Sequence, residues 1–276
     1  MRKTRYAAAA IAAVAALTLS ACGSDSGSEG GDEKIRIGIK FDQPGVGFKD
    51  GSEYTGFDVD VAKYVANELG YPEDQIEFIS TPSPQRENML ENDQVDMILA
   101  SYSITDTRKE KIAFAGPYFV AGQDLLIPVD SEIGGPDELD GKTLCSVGSS
   151  TSAQKIKDNY AAGVNLLEQP SYAECVTAMQ GGSIDAVTTD DIILAGLAST
   201  EANKGKFKVI GNTFSEERYG VGLPKEEGLV KCEDINTAIT KMVDEGAWEE
   251  AIKKNTEGVD YTFNAELNPP KTDACA

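Results

Sequence analysis

Two seven-residue segments constrain the fold of this 276-residue chain more than any other feature. Val95-Asp96-Met97-Ile98-Leu99-Ala100-Ser101 and Ile184-Asp185-Ala186-Val187-Thr188-Thr189-Asp190 share one pattern: an acid in second place, an apolar run, and a polar residue five positions after the acid. A nearly continuous apolar run of this kind is what a strand buried on both faces of a parallel sheet requires.

The same alternation leads up to each segment. Before the first, Ile35, Ile37 and Ile39 alternate as in a half-buried strand. Val59, Ala62, Val65, Ala66 and Leu69 then follow helical spacing, with Asp58 as N-cap and Gly70 as C-cap. Residues 76–79 form a second strand, and Ser83-Pro84 starts a helix that turns Met89 and Leu90 inward, proline suiting a first turn. Before the second segment, residues 141–147 read as a strand, 151–160 as a helix, Leu166 and Leu167 as part of a strand and 172–179 as a helix. Such alternation predicts an α/β fold of mostly parallel sheets flanked by helices, in two similar halves. Ligands of such sheets gather outside the carboxyl ends of the strands, which marks Ser101 and Asp190 as one site residue per half. Residues 123–128 and 219–224 are extended and end in proline, and are taken as two crossings between the halves. Lobe 1 is then 33–125 with 222–276, and lobe 2 is 126–221. Residues 235–252 read as one amphipathic helix that packs Ile239, Met242, Val243 and Trp248 onto lobe 1.

The N-terminus is an address. Arg2, Lys3 and Arg5 precede an apolar run over 7–19, too short for a membrane span of ~20 residues. Leu19-Ser20-Ala21-Cys22 resembles the bacterial lipoprotein box, which implies a signal peptide over 1–21 and a diacylglyceryl group on Cys22. Residues 22–32, rich in Gly, Ser and acids, form a flexible tether. Four cysteines remain, an even number that favours two disulfides in an oxidising exterior. Three connectivities are open; Cys145–Cys175 with Cys232–Cys275 pairs cysteines within each lobe and is the one expected.

Composition removes whole classes of function. With 46 Asp and Glu against 25 Lys and Arg, the formal charge is −21, and no basic surface is available for nucleic acid. The chain has no histidine, so Ser-His-Asp and Cys-His catalysis and imidazole metal sites are excluded. Gly181-Gly182 lacks the Lys-Ser/Thr sequel of a phosphate loop, and Asp58-x-Asp60 lacks the glycine and later glutamate of a calcium loop. No metal and no cofactor is expected.

Three blocks carry a family resemblance. Tyr54-Thr55-Gly56-Phe57-Asp58-Val59-Asp60-Val61-Ala62 resembles the G-F-D-V-D-x-A signature of extracellular polar amino-acid-binding proteins of ABC importers, solute-binding family 3. Ser103-Ile104-Thr105-Asp106-Thr107-Arg108, followed by Phe114 and Gly116-Pro117-Tyr118, resembles that family's T-x-T-x-x-R … F-S-x-P-Y block. Tyr219-Gly220-Val221-Gly222-Leu223-Pro224-Lys225 is similar to its second crossing. The resemblance covers 34–255 and, through Thr189-Asp190-Asp191 and Arg86, is strongest to glutamate/aspartate-binding lipoproteins. It implies a two-lobed periplasmic-binding-protein fold of type II. It also implies a non-enzymatic, monomeric receptor, lipid-anchored outside the cell membrane, that delivers L-glutamate or L-aspartate to a permease and its ATPase subunits. A glutamine receptor, or a dehydratase-like enzyme or sensor on the same scaffold, is the alternative.

The site residues follow from the chemistry of an amino acid, whose carboxylate needs a cation with fixed donors and whose ammonium needs an anion. Arg108 offers a planar fork for two parallel bonds. The resemblance implies Arg108 as the carboxylate clamp, with Ser103 beside it and the Ser101 carbonyl accepting from the ammonium. It implies Asp190 as the ammonium anchor, with Asp191 open to the same role. Thr151, where a helix N-terminus offers free N–H groups, resembles the lobe-2 residue that closes onto the carboxylate. A second ligand carboxylate requires a second cation, because a buried unpaired charge is costly. The resemblance to glutamate/aspartate binders implies Lys40 and Arg86, with Ser83, in that role, and Tyr172 in contact with the ligand side chain.

Overall fold

The computed structural model describes residues 34–160, 163–226 and 228–275. The signal peptide, the tether and Cys22 lie outside the described residues. The elements run β1 (Ile35–Ile39), β2 (Asp42–Gln43), β3 (Gly47–Asp50), β4 (Glu53–Thr55), α1 (Phe57–Glu68), β5 (Ile76–Ser80), α2 (Arg86–Glu91), β6 (Met97–Ile98), α3 (Asp106–Lys109) and β7 (Ala113–Pro128). They continue with β8 (Thr143–Val147), α4 (Thr151–Asn159), β9 (Asn165–Gln169), α5 (Tyr172–Gln180), β10 (Ala186–Asp190), α6 (Asp191–Ser199), β11 (Phe207–Val209), β12 (Glu216–Leu223), α7 (Cys232–Asp244) and α8 (Ala247–Asn255).

The strands pair in the order β5-β1-β6-β12-β7-β10-β8-β9, with β11 on β7 and a separate small sheet β2-β3-β4. Within that order lie two parallel triplets, β5-β1-β6 and β9-β8-β10. Each triplet has its first strand in the middle, its second on one side and its third on the other, so the repeat read from the two apolar segments is a repeat of topology. Strands β7 and β12 pair antiparallel between the triplets. Residues 113–122 of β7 pair with β12, and from Gln123 onward β7 pairs with β10 and then β11. One long strand therefore serves both lobes, and the extended stretches at 123–128 and 219–224 are parts of longer elements.

Helix α1 buries Val59, Ala62, Val65 and Ala66, the positions its spacing selects. Its cap is Gly56 rather than Asp58, which is fully buried one residue inside the helix. The single helix expected over 235–252 is two, because Gly246 takes a left-handed φ of 79° between α7 and α8. Trp248 joins these helices to the crossing: its Nε1 donates to the Tyr118 carbonyl at 2.7 Å, and its ring meets Phe57 and Phe119.

Beyond α8 the chain straps itself over the crossing. Phe263 sets its ring edge-on to Trp248, and buried Asn268 bonds both the N–H and the carbonyl of Val120. Further along, the Asp273 N–H donates to the Gly116 carbonyl, and Cys275 is disulfide-bonded to Cys232. The other disulfide, Cys145–Cys175, ties β8 to α5. Among the described residues no helix is long and apolar enough to cross a membrane.

Candidate functional site

The carboxyl ends of both triplets meet at one small, almost wholly polar cleft. From the first triplet, Gln43, Ser83, Arg86 and Ser101 line it, joined by Arg108. From the second come Ser150, Thr151, Ser152, Tyr172, Thr189 and Asp190, and Ile193 closes that side.

Arg108 is aimed by the short helix α3, which Thr105 caps by accepting from the Arg108 N–H at 3.2 Å. The residue is 9% exposed. Nη1 donates to the Ser103 carbonyl at 2.7 Å, Nη2 to the Ser149 carbonyl at 3.3 Å, and Nε faces Glu87 Oε1 at 3.3 Å. Burial, and after it the neighbouring charge of Arg86, push its pKa down to about 10, so it stays protonated at neutral pH. Arg86 opens α2 and is 3% exposed. Its Nη1 donates to the Ala100 carbonyl at 2.9 Å, and its Nε has no hydrogen-bond partner among the described residues.

Ser101 ends the β6 segment in a left-handed conformation, φ 45°, uncommon for a residue with a side chain. Asp58 holds it there: the Ser101 N–H donates to Asp58 Oδ2 at 2.6 Å, and the Tyr118 hydroxyl donates to Oδ1 at 2.7 Å. Burial lifts the Asp58 pKa to about 6 against the pull of these hydrogen bonds. The expected helix cap is thus a buried strut under the site. The Ser101 hydroxyl donates to Gln43 Oε1 at 3.1 Å.

Two candidates stand just off the cavity wall. Lys40 is buried with Nζ 3.5 Å from Asp42 Oδ1 and does not line the cavity. Burial lowers its pKa, Asp42 opposes this, and the nearby charge of Arg86 lowers it further. Ser103 orients Arg108 through its carbonyl, and its hydroxyl lies 3.3 Å from that of Thr151 on the opposite wall. With the Arg108–Ser149 bond, this contact joins the two walls.

On the second wall, Ser150 caps α4 by accepting from the Ala153 N–H at 3.0 Å, which leaves Thr151 at the first helical position. Tyr172 opens α5 behind a reciprocal Ser171–Glu174 capping box and is 3% exposed. Asp190 ends β10, with Oδ2 accepting from the Tyr219 hydroxyl at 2.5 Å and Oδ1 buried without a partner among the described residues. Burial, and then the charge of Glu217, raise its pKa well above the usual carboxylate range. Asp191 is engaged elsewhere: its Oδ1 accepts from the N–H groups of Ile192 and Gly122 and from the Tyr261 hydroxyl. Of the adjacent pair, Asp190 alone lines the cavity.

Gln43, Ile193 and the Glu87 partner of Arg108 escaped the sequence reading. Gln43 was within reach of it, lying three residues beyond Lys40 at the same strand end. The Glu87–Arg108 pair spans twenty-one residues and leaves no local trace in the sequence.

The cavity opposes two buried guanidiniums to one buried carboxylate with a free oxygen, amid hydroxyls and a helix N-terminus. It offers charged groups of both signs to a small polar ligand.

Known proteins agree with this shape and chemistry. The profile of bacterial extracellular solute-binding proteins, family 3, matches residues 35–257. The glutamate-binding protein GluB of Corynebacterium efficiens is 40% identical over 91% of this chain and 90% of its own length. The ABC transporter glutamine-binding protein GlnH of Bacillus subtilis is 34% identical over 91% and 97%. The fold is that of the arginine-, lysine-, histidine-binding protein ArtJ of Geobacillus stearothermophilus, with a TM-score of 0.75 at 24% identity over 86% of this chain and 99% of that one. Members of this family are receptors rather than enzymes; they bind small amino acids outside the cytoplasm and deliver them to ABC permeases. A two-lobed α/β scaffold, a polar cavity at the carboxyl ends of both triplets and a family profile over most of the chain lead to one conclusion: this is an amino-acid ABC solute-binding protein, a member of the bacterial extracellular solute-binding proteins, family 3.

Proposed function

We propose that this receptor selects L-glutamate, with L-aspartate as a second ligand. One observation carries the reading: Arg86 and Arg108, both more than nine-tenths buried, line the same cavity as Asp190. Arg108 already has Glu87 beside it, so the guanidinium that a second ligand carboxylate would neutralise is that of Arg86, which a neutral side chain would leave uncompensated. In this reading Arg108 grips the α-carboxylate, helped by Ser103 and Thr151, and Asp190 and the Ser101 carbonyl accept from the ammonium. Arg86 and Ser83 receive the side-chain carboxylate, Lys40 adds positive potential from behind the wall, and Tyr172 packs on the ligand. Resemblance to a glutamate-binding protein supports the assignment; resemblance to a glutamine-binding one supplies the competing reading.

Capture and closure follow from the two bodies, 33–125 with 222–276 and 126–221. The first binds the ligand and the second swings about the crossing to bring in Thr151 and Asp190 and expel water. The protein works as a monomer tethered through lipidated Cys22, and its closed form docks on the permease while ATPase subunits supply the work. A diacylglyceryl group gives the two chains that stable anchoring requires. Cys22→Ser releasing the protein from the membrane fraction supports the anchor, and unchanged fractionation rejects it.

Calorimetric titration with glutamate, aspartate, glutamine and arginine tests the ligand. Glutamate is expected to bind tightest; a tighter glutamine or arginine isotherm overturns the assignment.

A further inference from the structure

Tyr102 lies between two residues of the site and is fully buried. Its ring centroid is 4.1 Å from the Arg86 guanidinium carbon and 4.9 Å from that of Arg108. Two buried like charges that share one ring repel each other and need compensation. Arg108 obtains it from Glu87. Arg86 has no ion pair among the described residues; its contacts are the Ala100 carbonyl and this ring, with Asp58 acting only through space. The electron-rich face of an aromatic ring attracts a cation, and more strongly where water is excluded.

The ring is also packed on other sides. It packs edge-on against Phe114 at 5.0 Å between centroids. On another side it fills the space where residue 222 has no side chain: a Cβ on Gly222 would sit 2.6 Å from its Cε1. Its own backbone is pinned, the Tyr102 carbonyl accepting from the Gly220 N–H at 2.9 Å.

We propose that Tyr102 is a positioning residue that sets the spacing of the Arg86 and Arg108 guanidiniums and thereby the preference for a dicarboxylate ligand. The inference rests on the acidic-ligand reading and adds to it a reason for the choice of an aromatic side chain. A protein carboxylate beside Arg86 would stabilise that charge equally well, but it would compete with the ligand's second carboxylate. A neutral ring attracts the guanidinium and leaves its hydrogen-bonding edge for the ligand.

The test compares glutamate and glutamine affinities by calorimetry in wild-type protein, Tyr102→Leu, Tyr102→Phe and Tyr102 replaced by a trifluorinated phenylalanine. Fluorine withdraws electron density from the ring face while nearly preserving its shape, so the last variant keeps the packing even where Tyr102→Leu unfolds. The fluorinated and leucine variants are expected to lower the glutamate-to-glutamine affinity ratio about tenfold, with Tyr102→Phe restoring it. An unchanged ratio in the fluorinated protein, beside a wild type that prefers glutamate, overturns the role of Tyr102 alone. A wild type that prefers glutamine overturns the acidic-ligand reading itself.

Discussion

The two walls of the cavity come from the same topology and carry opposite chemistry. At the end of its third strand, the first triplet places Ser101, with Arg86 and Arg108 close by; the second places Asp190 there, amid hydroxyls. On the first wall Arg86 is held by Ala100 and Arg108 by Ser103 and Glu87, and Arg108 also reaches the Ser149 carbonyl of the opposite wall. The second wall is braced from the crossing, where Tyr219 of β12 holds Asp190. A repeated topology thus supplies equivalent strand ends, and the residues on them divide the cleft into a cationic face and an anionic face. The cationic face has the larger share of fixed donors. It is the face from which capture would begin, and the anionic one completes it.

Breaking the first wall should have the largest effect. Arg108→Ala is expected to cost about 2–5 kcal/mol of binding for glutamate and glutamine alike, since both carry the α-carboxylate. Calorimetry reads this directly, and a loss confined to glutamate would move Arg108 to the side-chain pocket.

Acid separates the buried carboxyls of both walls from ligand binding. Asp58 has its pKa raised to about 6, so the folded state holds its proton more tightly than the unfolded chain does. The stability it lends is fully present below its ordinary value and is lost as pH rises through about 6, about 3 kcal/mol across the window. Asp191, lifted to about 6, and Asp190, raised well above the usual range, act in the same direction. Thermal midpoints of ligand-free protein should therefore rise on going from neutral pH to about pH 5, with a shallower slope in Asp58→Asn. Glutamate affinity should move the opposite way, because a protonated Asp190 no longer attracts the ammonium. Parallel shifts of the two quantities would contradict the role of Asp190.

Arg86→Gln should weaken glutamate by about 2 kcal/mol more than glutamine, the worth of a charge-assisted pair over a neutral hydrogen bond. Equal losses would remove Arg86 from specificity. The smallest change is on the second wall: Thr151→Val deletes a hydroxyl 3.3 Å from that of Ser103 and should cost about 1 kcal/mol for every amino acid bound. A selective loss would show that Thr151 reads the side chain.

Much of the scaffold was legible because it is written in local spacing. Alternating Ile35, Ile37 and Ile39 pair as β1, and the helical positions Val59, Ala62, Val65 and Ala66 are the ones α1 buries. The run over 95–100 was harder: it pairs as a strand only at Met97 and Ile98, because the chain turns after Ala100 to put Ser101 into its left-handed conformation. Apolar spacing also continues across Gly246, so a helix break that depends on one backbone angle was invisible. The strap over 256–275 forms no helix or strand among the described residues, and it is held by the ring of Phe263, the side chain of Asn268, the backbone of Asp273 and a disulfide.

The sequence by itself determined the α/β alternation, its recurrence in two similar halves and the strand ends that meet at the cleft, because these depend on periodicities of two and 3.6 residues within short windows. Tertiary structure alone decided which polar groups meet: Asp58 under Ser101, Glu87 on Arg108, Lys40 behind the wall, and one aromatic ring against two guanidiniums. Burial converts such contacts from weak surface pairs into strong constraints, and burial is a property of the packed whole that no single segment carries.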